Sequence, residues 1–449
     1  MSHYKPYPAY KDSGVEWIGP VPEHWDVIRL RHVAEFKNSN VDKKTYDGQE
    51  TVSLCNYTDV YYNEFITGGL SFMQATASAA EIVQFSLRKG DVIITKDSED
   101  PSDIGIPALV TEDVPGVVCG YHLTMIRGAD FETARLLHRA IQSHPAQAHF
   151  FVEAPGITRY GLSQDAIGDL PLCIPPEDER PALANCLDRE TSRIDALIAK
   201  KTRFIELLKE KRQALITHAV TKGLDPGVKM KDSGVEWIGR VPEHWEVKRI
   251  RFLASKIGSG KTPSGGRSTY VENGVMFLRS QNVYDEGLRL EEVAFISNAT
   301  HEEMKNSAVM PNDVLLNITG ASIGRVSIVP YEFPAANVNQ HVCIVRCAES
   351  DIASWVHLSF CSRSIKEQIE VLQSGAGREG LNFEQVGDLV VTLPPRRDRQ
   401  HVHDQLGIVL DRVNAITALT QRSIDLLKER RSAFITAAVT GQIDLRGEA

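Results

Sequence analysis

Short apolar runs separated by Gly, Pro, Asn and Asp make up residues 27–172 and again residues 247–393. The runs at 92–94 and 314–316 are typical, and such runs between turn residues predict β-strands. Further predicted elements are the strands 108–110 and 326–329 and the helices 132–144 and 351–372. Each region is therefore predicted to be a mixed α/β domain.

After each region the apolar residues recur in steps of three, four and seven, which predicts one stripe on a long helix. The acidic turn 177–179, after two prolines, suits the start of the first helix, and Gly223 and Gly441 suit the two ends. The stripes contain Leu183, Leu187, Ile194, Leu197, Ile198, Phe204, Ile205, Leu208, Leu215 and Ala219, and then Leu406, Leu410, Val413, Ile416, Ile424, Leu427, Phe434, Ile435 and Ala438. A run of about 45 residues makes a helix of roughly 65 Å. So long a stripe needs a partner helix, and the other copy is the economical one.

The chain repeats itself. Residues 11–25 and 231–245 differ only at Pro20 and Arg240, and residues 205–221 align with 424–440. A repeat near 220 residues is far longer than a solenoid period, so it indicates two copies of a whole domain. Between the matched segments the copies diverge. The starts of the domains and the ends of the helices are thus duplicated, whereas the sequences between them vary.

These patterns predict an α+β fold with two tandem mixed α/β domains and two long helices that form an antiparallel coiled coil. The predicted boundaries are 1–174 for the first domain, 175–223 for the central helix, 224–393 for the second domain and 394–449 for the distal helix and tail. We call residues 1–174 the first module and residues 224–393 the second module.

Composition is that of an ordinary soluble protein, with 42% hydrophobic and 24% charged residues. No run of 18 apolar residues is present, and the first residues lack the apolar core of a signal peptide. The seven cysteines are scattered and form no CxxC pair, which is typical of buried free thiols in a reducing compartment. We therefore expect a cytoplasmic protein without a membrane segment.

The net charge of −9 argues mildly against nucleic acid. Net charge can nevertheless hide a basic face, and basic residues cluster in the loop 255–267 and at the helix ends 209–212 and 428–431. Two function classes stay open on these grounds: a DNA-binding protein, and a coiled-coil scaffold whose domains bind protein or glycan. An enzyme with an unrecognised site is a third, and it would need activity from the isolated chain.

Several motifs favour no catalytic chemistry. GSGKT at 258–262 lacks a P-loop's first glycine, since Ser255 stands there, and Pro263 opposes a helix. It is therefore either a basic loop near phosphates or a solvated loop. The segment 317–325 is either a DNA-facing loop or a tight turn between strands.

His122 and His341 have no second ligand at metal spacing, so we expect structural histidines. We expect the paired tryptophans Trp17, Trp25, Trp237 and Trp245 to be packing anchors.

SGVEWIGPVPEHW, a variable domain, two prolines and a long helix ending LLKEKRQALITHAVTKGLD occur in this order, and the second copy repeats them. This order resembles the DNA specificity (S) subunits of type I restriction-modification enzymes over essentially the whole chain. The resemblance implies two target recognition domains, each reading one half of a bipartite site in double-stranded DNA, with the helices as spacer. It implies no catalysis in this chain. Two methylation (M) subunits would dock on the helices, and restriction/translocase (R) subunits would complete the complex. S-adenosylmethionine, ATP and magnesium would belong to those partners.

The expected DNA contacts are side chains in loops that follow predicted strands. In the first module they are Asn56, Tyr57 and Lys96, and in the second they are Lys261, Arg267, Arg279, Ser280, Gln281, Asn282 and Arg325. Arg and Gln have suitable bidentate geometry for guanine and adenine respectively. No catalytic, cofactor or metal residue is expected in this chain.

Overall fold

Residues 4–373 and 380–448 are described by the computed structural model, without the side chains of Arg267 and Glu448. The chain divides into two units, residues 1–201 with 422–449 and residues 202–421. Each unit therefore combines one module with part of each long helix. The predicted domain boundaries stay a prediction.

The elements of the first half of the chain alternate between short strands and helices. The strands are β1 (Tyr10–Asp12), β2 (Pro20–Pro22), β3 (Asp26–Arg29), β4 (Ala34–Asn38), β5 (Glu50–Cys55), β6 (Phe65–Ile66), β7 (Met73–Ala77), β8 (Asp91–Thr95), β9 (Asp97–Ser98), β10 (Pro107–Val110), β11 (Val117–Cys119), β12 (Leu123–Gly128), β13 (Tyr160–Gly161) and β14 (Pro171–Ile174). The helices are α1 (Tyr57–Tyr62), α2 (Ala79–Phe85), α3 (Phe131–Gln142), α4 (His144–Glu153), α5 (Gln164–Gly168) and α6 (Arg180–Lys222).

The first module is built on a mixed five-stranded sheet with the order β4-β12-β8-β10-β6, beside a three-stranded sheet with the order β11-β5-β7. Strand β8 is buried along its whole length. Its side chains alternate between faces, so Ile93 enters one apolar cluster while Val92 and Ile94 enter another. This double burial explains why the sequence shows an unbroken apolar run there.

The second half repeats this alternation. Its strands are β15 (Met230–Asp232), β16 (Arg240–Pro242), β17 (Glu246–Arg249), β18 (Ala254–Ser259), β19 (Val275–Leu278), β20 (Val283–Tyr284), β21 (Gly287–Leu288), β22 (Ala294–Ile296), β23 (Val314–Asn317), β24 (Val326–Ile328), β25 (Ala336–Val338), β26 (Val342–Cys347) and β27 (Val390–Leu393). Its helices are α7 (Asn298–Glu303), α8 (Ser350–Phe360), α9 (Arg363–Gln373), α10 (Phe383–Asp388) and α11 (Arg396–Val439).

The second module has the corresponding pair of sheets, with the orders β18-β26-β23-β24 and β22-β19-β25. Strand β23 takes the place of β8, because Val314 and Leu316 enter one apolar cluster and Leu315 enters another. Strand β19 likewise takes the place of β5, since it pairs in parallel with β25 and antiparallel with β22. The predicted strands are confirmed at these places.

One predicted helix is interrupted. The segment 351–372 forms α8 and α9, which are separated at Cys361 and Ser362. The Ser362 hydroxyl donates to the Ser359 carbonyl at 2.5 Å, and such local bonds compete with helix continuation. Ser143 does the same to the Ala140 carbonyl between α3 and α4. The sequence did not predict α4.

The tryptophan that closes each repeated segment packs at the start of a long helix. Trp25 is fully buried, and its indole N–H donates to Glu179 Oε2 at 3.1 Å. In the second unit, Trp245 donates to Asp398 Oδ2 at 3.1 Å. The anchor prediction is therefore confirmed for these two residues. It is wrong for Trp17, which is 53% exposed, and Trp237 is half-buried.

Helices α6 and α11 contain 43 and 44 residues. Gly223 and Gly441 follow them with φ of 74° and 70°, as the sequence predicted. The start of α6 differs from the prediction, because residues 177–179 precede its first turn. Glu179 is instead buried against Trp25.

Not every residue of the predicted stripes is buried. Leu197, Phe204 and Ile416 are each more than 40% exposed. Periodicity had placed them correctly on the apolar face of a helix, but it could not say what covers that face.

Candidate nucleic-acid interface

In the first module a cluster of polar side chains lies just beyond the carboxyl end of β8. Asp97 Oδ1 lies 2.6 Å from His122 Nδ1 and accepts a hydrogen bond of 2.6 Å from the Arg159 guanidinium. The neighbouring Lys96 has its ammonium 5.2 Å from the centre of the Tyr121 ring. Burial lowers the pKa of Lys96, and the carboxylate of Asp97 opposes that shift. The cluster thus contains two cations and a carboxylate, and of the two cations Arg159 is in contact with Asp97.

An open cleft of about 570 Å³ lies beside this cluster. Tyr57 and Tyr61 line it with stacked rings, 5.6 Å apart. The Tyr61 hydroxyl donates to Asp103 Oδ1 at 3.0 Å. The acidic residues that line the cleft are Asp97, Glu99, Asp100 and Asp103. Carboxylates repel phosphates but accept hydrogen bonds from base amino groups, so this cleft suits base edges better than backbone.

In the second module a chain of hydrogen bonds joins three loops at the corresponding place. His341 Nδ1 lies 2.5 Å from Thr319 Oγ1, and its Nε2 lies 2.8 Å from the Gln340 amide nitrogen. The Thr262 hydroxyl donates to the amide oxygen of Gln340. This chain connects the basic loop 255–267 with the loop 317–325 and with the turn before β26.

The two clusters stand on the same backbone frame. The Leu162 N–H donates to the Lys96 carbonyl at 2.8 Å, and the Leu381 N–H donates to the Ile318 carbonyl at 2.8 Å. Asp97 in one module thus has Thr319 as its counterpart in the other. The backbone is shared, and the side chains that face the loops differ.

Both histidines are held inside their own module, as predicted, by Asp97 and Thr319. In residues 4–373 and 380–448, no group of three His, Cys, Asp or Glu side chains could hold a metal ion.

Two of the expected DNA contacts serve the fold. Asn56 precedes α1, and its N–H donates to Asp59 Oδ2 at 2.7 Å. Asn282 is 1% exposed; its amide donates to the Arg289 carbonyl and accepts from the Arg279 N–H, both at 2.9 Å. Burial therefore corrects the role expected for Asn282, which holds a turn.

The neighbours of Asn282 are more accessible. Gln281 is exposed, whereas Ser280 is half-buried and its carbonyl accepts from Asn317. The Arg279 guanidinium donates to the Glu292 carbonyl at 2.9 Å and lies 5.9 Å from the Tyr270 ring centre. Gln281 is thus the member of this turn best placed to meet a ligand.

Arg325 ends the loop 317–325, which connects the antiparallel strands β23 and β24. The tight-turn interpretation is therefore right for its backbone. The Arg325 guanidinium lies 4.7 Å from the Tyr284 ring centre, and that of Arg289 lies 3.7 Å from the same ring. One aromatic ring thus holds two cations.

The basic loop does not form a nucleotide site. Its first residues belong to β18, and the only regular structure that follows before β19 is a short 3₁₀ turn at Gly266–Thr269. A P-loop opens a helix at this point. Lys261 is exposed, and the side chain of Arg267 lies outside the described residues.

Sequence reasoning missed Asp97 and Arg159. The available signal was the position of Arg159, two residues before a Gly-Leu pair that both copies share.

One family model matches part of this chain. Residues 242–429 match the family model for the type I restriction modification DNA specificity domain. Most of the second module and part of α11 are therefore similar to a type I DNA specificity domain. This domain is named for recognition and not for catalysis, as the sequence predicted. The repeat extends the same frame to the first half of the chain.

Two known specificity subunits match 96% and 64% of this chain. The MjaX specificity subunit of Methanocaldococcus jannaschii is 20% identical over 436 residues, which cover 96% of each protein. The EcoBI specificity subunit of Escherichia coli is 22% identical over 297 residues, 64% of this chain and 61% of that one. A solved structure, titled for complex assembly and conformational transition of the type I R-M system, has a TM-score of 0.64 at 16% identity. It covers 94% of this chain and 99% of its own, which supports the mixed α+β fold.

Proposed function

We propose that this chain is the sequence-specific DNA-binding subunit of a type I restriction-modification complex and that it reads a bipartite site in double-stranded DNA. The observation that carries the proposal is the pair of loop clusters at β8 and β23. They share one backbone frame but differ in side chains. Two readers on a shared frame suit two half-sites of different sequence.

The two modules would use different contacts. In the first, Tyr57 and Lys96 would meet DNA at the acidic cleft. In the second, Gln281 and Arg279 would read bases, while Lys261, Arg267 and Arg325 would contact phosphates. Phosphate contacts set the register of a protein on DNA, whereas base-edge contacts set the sequence it selects.

The long helices would form an antiparallel coiled-coil spacer. Within the first unit, Arg431 pairs with Asp195 at 2.9 Å and Arg446 pairs with Glu179 at 3.3 Å. Between these two contacts the chain advances from Arg431 to Arg446 on one side and goes back from Asp195 to Glu179 on the other. This supports an antiparallel arrangement of α6 and α11.

Methylation subunits, two in the expected complex, would dock on exposed apolar side chains of the helices. In the second unit these include Phe204, Leu207, Ile408, Ile416 and Leu419, which are each at least 44% exposed. Exposed apolar surface of this kind marks interaction sites. Restriction/translocase subunits would join the same complex.

S-adenosylmethionine, ATP and magnesium would be bound by those partners. We place the complex in the cytoplasm because the described cysteines are free thiols. No helix among the described residues is long and apolar enough to cross a membrane.

Co-expression with an adenine methyltransferase partner, followed by single-molecule sequencing of the host DNA, tests the proposal. We expect a bipartite methylated motif that disappears when this chain is omitted. Unmodified DNA despite a formed complex would refute it.

A scaffold that binds protein or glycan is the second candidate, and the acidic cleft of the first module favours it. Salt separates the two, because affinity that depends on phosphate contacts falls steeply as salt is added. If DNA binding does not weaken as salt is added, phosphate contacts do not drive it, and the scaffold is favoured.

A further inference from the structure

Arg212 and Arg431 occupy matched positions in the two long helices. The segments IELLKEKR and IDLLKERR, which start at residues 205 and 424, place them eighth in each. Arg212 belongs to the second unit and Arg431 to the first. Each arginine therefore lies in the same unit as one module.

Arg431 reaches into the first module. Its guanidinium lies 2.5 Å from Glu64 Oε2, and its Nε lies 2.9 Å from Asp195 Oδ1 on α6. Arg139, which is 2% exposed, pairs with the other carboxylate oxygen of Glu64. Glu64 is thus held between two arginines, one from the module and one from the long helix.

Arg212 makes the corresponding contact in the second unit through different chemistry. Its guanidinium donates to the Asp285 backbone carbonyl at 2.8 Å. The Asp285 side chain is held from within the module, by Lys366 at 3.0 Å and by the Val326 N–H at 2.8 Å. The acceptor differs, but the place of attachment is the same.

That place is the end of the segment that carries candidate base contacts. We call residues 56–64 and 279–285 the reading segments. Each begins where the central strand of a three-stranded sheet ends, β5 or β19, and each carries an expected contact, Tyr57 or Gln281. Strand pairing holds one end of each segment, and an arginine of a long helix holds the other.

The body of each module is attached to its helix separately. The His144 N–H donates to Thr436 Oγ1 at 3.0 Å, and the Arg363 N–H donates to Thr217 Oγ1 at 2.8 Å. Loss of an arginine should therefore leave the module docked and loosen only the far end of the reading segment.

We propose that Arg212 and Arg431 are positioning residues that fix the reading segments relative to the long helices, and that they thereby set the tolerance for the gap between half-sites. The bases chosen in each half-site would be unaffected, because the arginines hold the end of a segment rather than its reading side chains. This inference rests on the proposed function.

The test uses the full chain co-expressed with its methyltransferase partner. Arg431→Ala and Arg212→Ala would be compared with Arg430→Ala and Lys211→Ala, which remove the same charge from exposed neighbouring positions. Methylation rates would be measured on DNA whose gap is correct, one base pair longer or one base pair shorter. We expect the preference for the correct gap to fall severalfold in the arginine variants only, with unchanged half-site bases in the methylation map.

Gap preference as strict as in the controls would overturn the inference, and so would altered half-site bases. Should an alanine variant fail to fold, Glu64→Gln and Arg431→Lys keep the size of the contact and weaken the pair. They should loosen the gap preference partially, and a wild-type preference in both would also overturn the inference. Absence of any bipartite motif with the wild-type chain would instead refute the proposed function.

Discussion

At the scale of single residues, His138 and His357 form a matched pair 219 positions apart. Burial lowers the pKa of His138 well below its usual value, and the neighbouring Arg139 and Arg431 add to the shift. Burial likewise lowers the pKa of His357 to about 4, assisted by Arg212. Both histidines are therefore neutral in the folded protein, although nearby carboxylates partly oppose the shifts.

Stability should therefore fall as pH drops from about 6.5 toward 4, because the unfolded chain binds protons there that the folded chain excludes. The full shift of the His357 pKa corresponds to about 3–4 kcal/mol, which is an upper bound because the side chain is only half-buried. Urea unfolding at pH 7.5 and pH 5 should show a smaller loss for His357→Gln than for wild type. His32→Gln, at an exposed position, should behave as wild type; an equal loss in all three would contradict the assignment.

Residue roles were the part least predictable from sequence. His122 and His341 were correctly expected to be structural, because no metal ligand stood at the right spacing. The role of Asn282 and the contact between Asp97 and Arg159 depend on segments that are far apart in the chain. Only folding brings these together.

At the scale of elements, an ion pair between a buried carboxylate and a half-buried arginine joins the strands of each large sheet. Asp313 is fully buried, and Arg346 on β26 binds both of its carboxylate oxygens at 2.7 Å. Asp91 and Arg127 repeat this pair in the first module at 2.6 and 2.7 Å. Removal of one partner leaves the other charge without compensation.

Asp313→Asn should lower the free energy of unfolding by about 2–4 kcal/mol, because the half-buried Arg346 loses its bidentate partner. Asp388→Asn is the matched control in the same module, since Asp388 is 39% exposed and pairs with Arg249 and Arg251. That change should cost less than about 1 kcal/mol. Urea unfolding of both variants measures the difference, and equal losses would count against it.

Helix length is the second property of this scale. Four residues added to each of α6 and α11 lengthen each helix by about 6 Å, close to two base-pair steps at roughly 3.4 Å each. Methylation-site mapping should then show a longer preferred gap with the same half-sites. An unchanged gap would refute the spacer role.

Periodicity and the terminal glycines were enough to predict these helices and their ends, because both signals are local. The start of α6 was predicted too early, at residues 177–179. Glu179 instead accepts a hydrogen bond from the Trp25 indole and precedes the first turn of the helix. The exposure of Phe204 and Ile416 was missed because a stripe shows which face is apolar but not what covers it.

At the scale of the whole molecule, the segment around Lys5 packs against α11 and the residues that follow it in the first unit. The Asp444 N–H donates to the Lys5 carbonyl at 2.8 Å, and the Tyr4 ring lies 5.6 Å from that of Phe434. Arg446 also pairs with Glu179. The last helix thus completes the packing of the first module.

A circular permutant should therefore fold. In this permutant a short flexible linker joins the last residue to the first, and the chain is opened between Asp225 and Gly227. It would keep every contact described for both tryptophan anchors. We expect melting within a few degrees of wild type and the same methylated motif. The control is the chain in its original order with the same linker appended to its last residue. An insoluble permutant beside a soluble control would contradict this expectation.

The way in which the long helices end has a consequence for the ancestry of the chain. Each module is completed by the end of a helix that begins after the other module, as Gly441 beside Trp25 and Gly223 beside Trp245 show. A half-length chain with one module and one helix would lack that end, and a second identical chain could supply it. Such a pair would have twofold symmetry and would read a palindrome. Duplication and fusion of its gene would then have freed each half of the target to change on its own.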